Sequence, residues 1–295
     1  MGCAGNRPSG ALGWSLGGEA HVFIAGDAFA RDFYRELRGN GNLTDSLRQK
    51  PLITVEPRRQ HSATVLSASG AALGRLVLAR FHARDVCSHA QTVTELVFAF
   101  PPGGTAGRSA PPSHVPVVAL LKAQPFAAGA GTFAVTLSRG EALRLVTRVA
   151  QRADSATGAP APFVRALTLD PDQAEDAGEV VPLFHRSPGQ YAVGFRARLA
   201  GASDTAFVTG IAISDTAAQA LRWVMRPQRI RFARGALPAN AKRYSLRGSV
   251  AGEAGGTLLL IDEIADVSLA DSRALAVDAE SRSIVAEQPL ALRCP

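Results

Sequence analysis

The sequence predicts a mainly β chain of the α+β kind, with strands and two or three helices in its N-terminal half and an antiparallel, sandwich-like C-terminal half. Three observations carry this. Short runs rich in Val, Leu, Ile and Phe recur at roughly 8–15-residue intervals, separated by Gly, Pro and Ser turns. Several runs alternate apolar and polar residues, as in Tyr191-Ala-Val-Gly-Phe-Arg-Ala-Arg-Leu199, the period of a half-buried strand. Strong helical periodicity is confined to a few stretches of the N-terminal half.

Residues 1–18 are Gly-rich and lack periodicity, so they read as a flexible N-terminal tether. A strand follows at His21–Ala25, then Asp27 as N-cap of a helix to about Arg38. Phe29, Phe33 and Leu37 share one face of that helix, and Gly39-Asn40-Gly41-Asn42 ends it. A short helical turn fits 43–50, and Leu52–Val55 reads as a strand closed by Pro57. Strands are expected at His61–Ser67, Leu73–Phe81, Thr92–Phe100, Val115–Leu121 and Thr132–Leu137, with a Gly/Pro/Ser loop over 101–113. Ser138 and Glu141 have capping-box spacing, and Leu143, Val146, Val149 and Ala150 form an apolar stripe. Together they predict a helix to about Arg152.

The segment Asp154–Pro162 is the expected boundary between an α+β domain, 19–154, and an antiparallel sandwich, 163–295. Beyond it the strands expected are Ala166–Leu169, Val180–Phe184, Tyr191–Leu199, Ala206–Ile213, Leu221–Met225, Arg229–Arg234, Tyr244–Val250, Thr257–Ile261 and Arg273–Val277. Gly255-Gly256 is a hairpin signal.

With 46% hydrophobic and 19% charged residues the chain reads as globular, and with 6% aromatics its core must draw on Val, Leu, Ile and Ala. No window approaches ~18 consecutive apolar residues, which excludes a membrane-spanning helix. Basic residues are nearly all Arg, the lysines being Lys50, Lys122 and Lys242.

The cysteines Cys3, Cys87 and Cys294 have no metal-type spacing. Gly2-Cys3-Ala4-Gly5, with the Gly-rich stretch after it, resembles the mature start of a bacterial lipoprotein. That resemblance implies lipidation at Cys3 and tethering to a membrane, the apolar segment such a start requires lying upstream. Cys87 and Cys294 then remain as an even pair suited to a disulfide in the cell envelope. Three free thiols in the cytoplasm are the alternative.

No complete catalytic motif is present. Gly13-Trp14-Ser15-Leu16-Gly17 resembles the nucleophile elbow of α/β-hydrolases. Only twelve residues precede it, no apolar strand leads into it, and Gly18-Glu19-Ala20 leads into a strand-like run instead of a helix, so Ser15 is not assigned as a nucleophile. Leu258-Leu259-Leu260-Ile261-Asp262-Glu263 resembles the Walker B strand of nucleotide hydrolases, but the phosphate cradle that role needs is missing. His82, Asp85, Cys87 and His89 are metal-type donors at a spacing that matches no metal motif. No catalytic residue, metal or cofactor is assigned.

Between Thr216 and Gly252 there is no acid, while Arg222, Arg226, Arg229, Arg231, Arg234, Lys242, Arg243 and Arg247 contribute +8 against a net +7 for the chain. The seven arginines are candidate anion-binding residues for an anionic surface ligand. Nucleic acid is the less favoured partner, because no recognition module accompanies them. The competing expectation is internal compensation by the acids of Glu253–Glu287 and Asp170–Glu179. The function expected is a non-enzymatic, exported binding or structural protein. The alternatives are an Arg-rich polyanion binder and a hydrolase or metal enzyme with a dispersed site.

Overall fold

The structure, a computed structural model, describes residues 10–67, 70–84, 90–100, 113–121, 132–133, 135–156, 167–169, 177–185, 189–199, 206–231, 242–252, 256–265 and 272–290. The protein is mainly β with three helices among these residues, and its strand ladders are antiparallel. It forms two compact units. The first comprises Met1–Ala127, Val250–Ala254 and Ile284–Pro295, and the second Ala128–Ser249 and Gly255–Ser283.

The first unit is built on β1 (Gly10–Leu16), β2 (Glu19–Ala25), α1 (Asp27–Arg38), α2 (Leu43–Gln49), β3 (Leu52–Val55), β4 (Ser62–Ser67), β5 (Gly70–His82), β6 (Val93–Ala99) and β7 (Pro116–Leu120). Hydrogen-bonded neighbours run β5-β4-β7-β1-β2-β6 and return from β6 to β5, closing a six-stranded barrel. The length of β5 makes closure feasible. One edge pairs with β4 over Gly70–Arg75 and with β3 over Ala79–His82, while the other carries β6 from Arg75 onward, across a bulge between Leu76 and Leu78.

A closed ring of six strands has a narrow interior, and the sequence fills it with small side chains. Ala11, Ala20, Ala63, Ala79 and Ala119 pack there with Val22, Val65, Leu96, Phe98 and Val117. Gly74 belongs to the same economy of space: a Cβ there would lie 2.9 Å from Phe98. Ala30, Phe33, Tyr34 and Leu37 of α1 join the same cluster, and Tyr34 meets Phe81 edge-on at 5.3 Å. Helix α1 therefore stoppers the barrel at the end where β2 and β5 finish. Each large apolar side chain so buried contributes roughly 1.5–3 kcal/mol.

Two expectations are corrected here. Gly10–Leu16 is a barrel strand and not part of a tether, paired on one side with β2 and on the other with β7. Its glycines were misleading as signs of flexibility. Gly13 is required because a Cβ would fall on the His21 carbonyl, and Gly17 and Gly18, at φ 60° and 85°, form the tight β1–β2 turn. Asp27 is not the N-cap of α1. Gly26 occupies that position, and the Asp27 carboxylate turns elsewhere.

The second unit contains β8 (Thr132–Phe133), α3 (Arg139–Ala156), β9 (Ala177–Pro182), β10 (Phe184–His185), β11 (Gln190–Leu199), β12 (Ala206–Asp215), β13 (Leu221–Arg231), most of β14 (Lys242–Ala251), β15 (Thr257–Ala265) and β16 (Arg273–Asp278). Strand β17 (Ile284–Pro289) returns to the first unit beside β1. The order β13-β12-β11-β9 makes one sheet, and β14, β15 and β16 neighbour one another in a second.

Alternation along β11 sets up the layers. Tyr191, Val193, Phe195 and Ala197 face α3, packing on Leu145, Val146, Val149, Ala150 and Ala153. Ala192, with Ile211 and Ile213 of β12, faces Tyr244, Leu246, Leu259, Ile261, Leu275 and Val277 of the second sheet. The capping box starts α3: Ser138 N–H donates to Glu141 Oε2 at 2.9 Å, and Glu141 N–H to Ser138 Oγ at 3.4 Å. The helix thus belongs with the strands that follow it, not with the α+β half to which the sequence boundary at 154–162 assigned it. The sequence placed two strands here, at 221–225 and 229–234, with Pro227 between them. The chain instead runs through it as β13, an edge strand bulged against Thr209–Ala212 of β12, where a proline is tolerated.

Candidate functional site

Polar chemistry gathers at three places, the first on the outer face of the barrel. Because Ala20, Val22 and Ile24 point inward, His21 points out, as do Glu95 of β6 and Arg80 and His82 of β5. Glu95 is buried and sits at the centre. Its Oε1 accepts from Arg80 at 2.7 Å and faces His21 Nδ1 at 2.8 Å, while Oε2 faces His82 Nε2 at 3.0 Å. Burial alone would raise the Glu95 pKa. The hydrogen bonds from His21 and His82 and the charge of Arg80 outweigh it and hold the value at about 2.

Among the described residues, this cluster contains no nucleophile. Ser15 lies inside the barrel end, fully buried, with its hydroxyl against the backbone of Val115. His21 leaves the same hairpin on the opposite face, cross-strand from Trp14. The elbow-like string is a strand and its hairpin turn. Among the described residues, no group of three or more His, Cys, Asp and Glu is arranged to hold a metal ion.

The second place is a cleft of about 680 Å³ in the first unit, lined by Asp27 and Arg31 of α1, Leu43, Thr44, Leu47 and Arg48 of α2, and Pro51, Ala83, Arg84 and Thr92. Asp27 is its anchor. Oδ1 accepts the Thr92 N–H and Oδ2 the Arg84 guanidinium, each at 2.8 Å. The Thr92 backbone hydrogen bond, opposed by partial burial and aided by Arg84, lowers the Asp27 pKa. Arg31 Nε donates to the Asp27 carbonyl at 3.2 Å. Ala83 N–H donates to Pro51 O at 2.7 Å, tying the end of β5 to the α2–β3 link. Arg48 also pairs with Asp45 at 3.6 Å, but both side chains are exposed and such pairs contribute little. Among the described residues, the walls carry three guanidiniums against one carboxylate.

The third is the interior of the second unit. Glu179 of β9 accepts from Ser245 Oγ at 3.1 Å and lies 3.6 Å from Arg196, all three side chains buried. Burial outweighs Arg196 and Ser245 and raises its pKa. At the β14–β15 edge Lys242 and Arg273 both donate to Glu263 Oε1, at 2.9 and 2.7 Å, and Arg247 donates to Asp262 Oδ2 at 2.6 Å. The Walker-like acids therefore end a sheet strand as ion-pair partners.

The anion candidates read from the sequence fare unevenly. Arg222 donates to the carbonyls of Ala279 and Glu280, at 2.8 and 3.0 Å, and Arg247 is committed to Asp262. Arg226 is exposed on β13, and the Nε atoms of Arg229 and Arg243 are buried. Arg234 and the side chain of Arg231 lie outside the described residues, as do Cys3, Cys87, Cys294, Asp85 and His89. The cleft residues Asp27, Arg31, Arg48 and Arg84 were missed because they are far apart in sequence. Glu95 and Glu179 did carry a signal: each is the single charged residue of its strand. No family model, curated protein or solved structure matches the chain.

Proposed function

We propose that this is a non-enzymatic binding protein whose barrel unit takes a small, multiply charged anion in the Arg31–Arg48–Arg84 cleft. The observation that carries this is convergence. Three guanidiniums reach one cleft from α1, from α2 and from the end of β5, and Asp27 fixes one of them in place. Arginine forks suit phosphate and carboxylate oxygens, and a fixed guanidinium loses less entropy on binding than a free one. The Arg222–Arg247 stretch suits the role less well, because Arg222 and Arg247 already serve internal acceptors. A cell-envelope location belongs to the same reading and rests on the Gly2-Cys3 start alone.

Calorimetric titration with inorganic pyrophosphate tests the proposal. The wild type should bind, the affinity should weaken as salt is raised, and Arg84→Ala or Arg31→Ala should cost about tenfold each, near 1.4 kcal/mol. No heat of binding with a folded wild type, or binding by Arg31→Ala and Arg84→Ala as tight as that of the wild type, would overturn it.

A further inference from the structure

The arginine cleft is far roomier than an inorganic anion needs. At about 680 Å³ it falls among the sizes of sites that enclose organic molecules, and pyrophosphate would leave much of it to water. The wall around that space decides what fills it.

Helix α2 supplies two kinds of wall from adjacent rows. Leu43 and Leu47 lie one turn apart on one row and Thr44 and Arg48 on the next, so the surface changes from apolar to basic across a single step of the helix. Leu43 is buried, and Leu47 is half-buried and packed on the core shared by α1 and the barrel, which holds this apolar strip in place. Pro51 and Ala83 extend it. Both line the cleft, and the hydrogen bond from the Ala83 N–H to the Pro51 carbonyl fixes them side by side.

The charged wall has a definite sign. Among the described residues that line the cleft, three guanidiniums stand against the single carboxylate of Asp27, a formal charge of +2. Asp45 offsets Arg48 only through an exposed pair at 3.6 Å. A phosphate monoester carries about −1.5 to −2 at pH 7 on three acceptor oxygens, which matches that charge, whereas one carboxylate would leave half of it unmet.

Building on the anion reading of the cleft, on which this assignment rests, we infer that the cleft takes a phosphate monoester bearing an apolar group. The phosphate lies among Arg31, Arg48 and Arg84, and the apolar group lies on Leu47, Pro51 and Ala83. A soluble ester and the head of a membrane lipid share this chemistry.

Hexyl phosphate and methyl phosphate carry the same head and differ only in chain length, so calorimetric titration of both into the full chain isolates the apolar contact. Hexyl phosphate should bind at least about tenfold tighter, the gain that burying about two methylenes supplies, and should compete with pyrophosphate. Leu47→Ser should cut the advantage to within about threefold, and Pro51→Ser, at an exposed position, should lower it in the same direction. Vesicles containing phosphatidate identify the source: sedimentation with them, reversed by hexyl phosphate, supports a lipid ester, and hexyl phosphate binding without sedimentation supports a soluble one. Equal affinity for the two esters while pyrophosphate binds would overturn the inference and leave the cleft an anion site. Silence of all three ligands on a folded chain would overturn the anion reading beneath it as well. Simultaneous binding of hexyl phosphate and pyrophosphate, or an unchanged advantage in both folded variants, would also overturn the inference.

Discussion

Replacing Glu95 by Gln should remove a defined, acid-sensitive part of the stability of the barrel unit. In the folded state the Glu95 carboxyl titrates at about 2 against 4.5 for an unperturbed Glu. The difference of about 2.5 units, at 1.36 kcal/mol each, corresponds to about 3 kcal/mol of preference for the ionised side chain. The side chain is only 5% exposed, so solvent screening removes little of it. Because the folded pKa lies below the unfolded one, this stability is fully present above about pH 4.5 and is lost as pH falls toward 2. By pH 3 about 2 of the ~3 kcal/mol should be gone. Urea unfolding of wild type and Glu95→Gln, followed between pH 6 and pH 3, measures the gap between them. The gap should be 2–3 kcal/mol at pH 6 and shrink to about 1 kcal/mol at pH 3. A gap that stays constant with pH would refute the reading of Glu95 as an ionised hub held by His21, His82 and Arg80.

Three further outcomes are expected. Gly178→Ala should destabilise the second unit by roughly 1–3 kcal/mol in thermal unfolding, since its Cβ meets Val146, and Val146→Ala in the same chain should recover part of that loss. Gly17→Ala should cost about 1 kcal/mol and Gly17→Asn less: at φ 60° no neighbour lies within 4 Å of the new Cβ, so the cost is conformational alone. The intact mass of the protein from its native host, taken without reductant, should carry acyl chains at Cys3 and a Cys87–Cys294 disulfide, whereas three unmodified thiols would refute the envelope placement.

The elements that were legible in the sequence are those whose signal is local. Ser138 and Glu141 announce α3 because the capping box is a contact between residues three apart, and Phe33 and Leu37 mark the buried side of α1 because a helix face repeats every turn. Strand β1 was hidden for the opposite reason. Gly10, Gly13, Gly17 and Gly18 have the composition of a linker, and only contact with β2 reveals that Gly13 must lack a side chain. The continuity of β13, expected as two strands at 221–225 and 229–234, was hidden in the same way, with Pro227 inside it. Whether a proline breaks a strand depends on whether that strand is an edge, a property of the sheet and not of the residue.

The same distinction explains why the sites were harder to see than the fold. Closure of β5 on β6 brings Arg80, His82 and Glu95 together and, with β2 alongside, adds His21; no spacing in the chain encodes that ring. The arginine cleft rests on strand pairing as well, because Arg84 follows β5, Thr92 precedes β6, and Asp27 follows β2, the strand that pairs with β6. The basic block from Arg222 to Arg247 was conspicuous because its charges are consecutive in sequence. Consecutive strands place such charges beside neighbours able to neutralise them, and Asp262 does this for Arg247 and Glu263 for Lys242. Of the three arginines around Asp27, Arg48 meets its local acid, Asp45, only in an exposed pair, and Arg84 meets Asp27 from another segment of the chain. For that reason the three scattered arginines around Asp27 are a better candidate for a ligand than the longer run that first drew the eye.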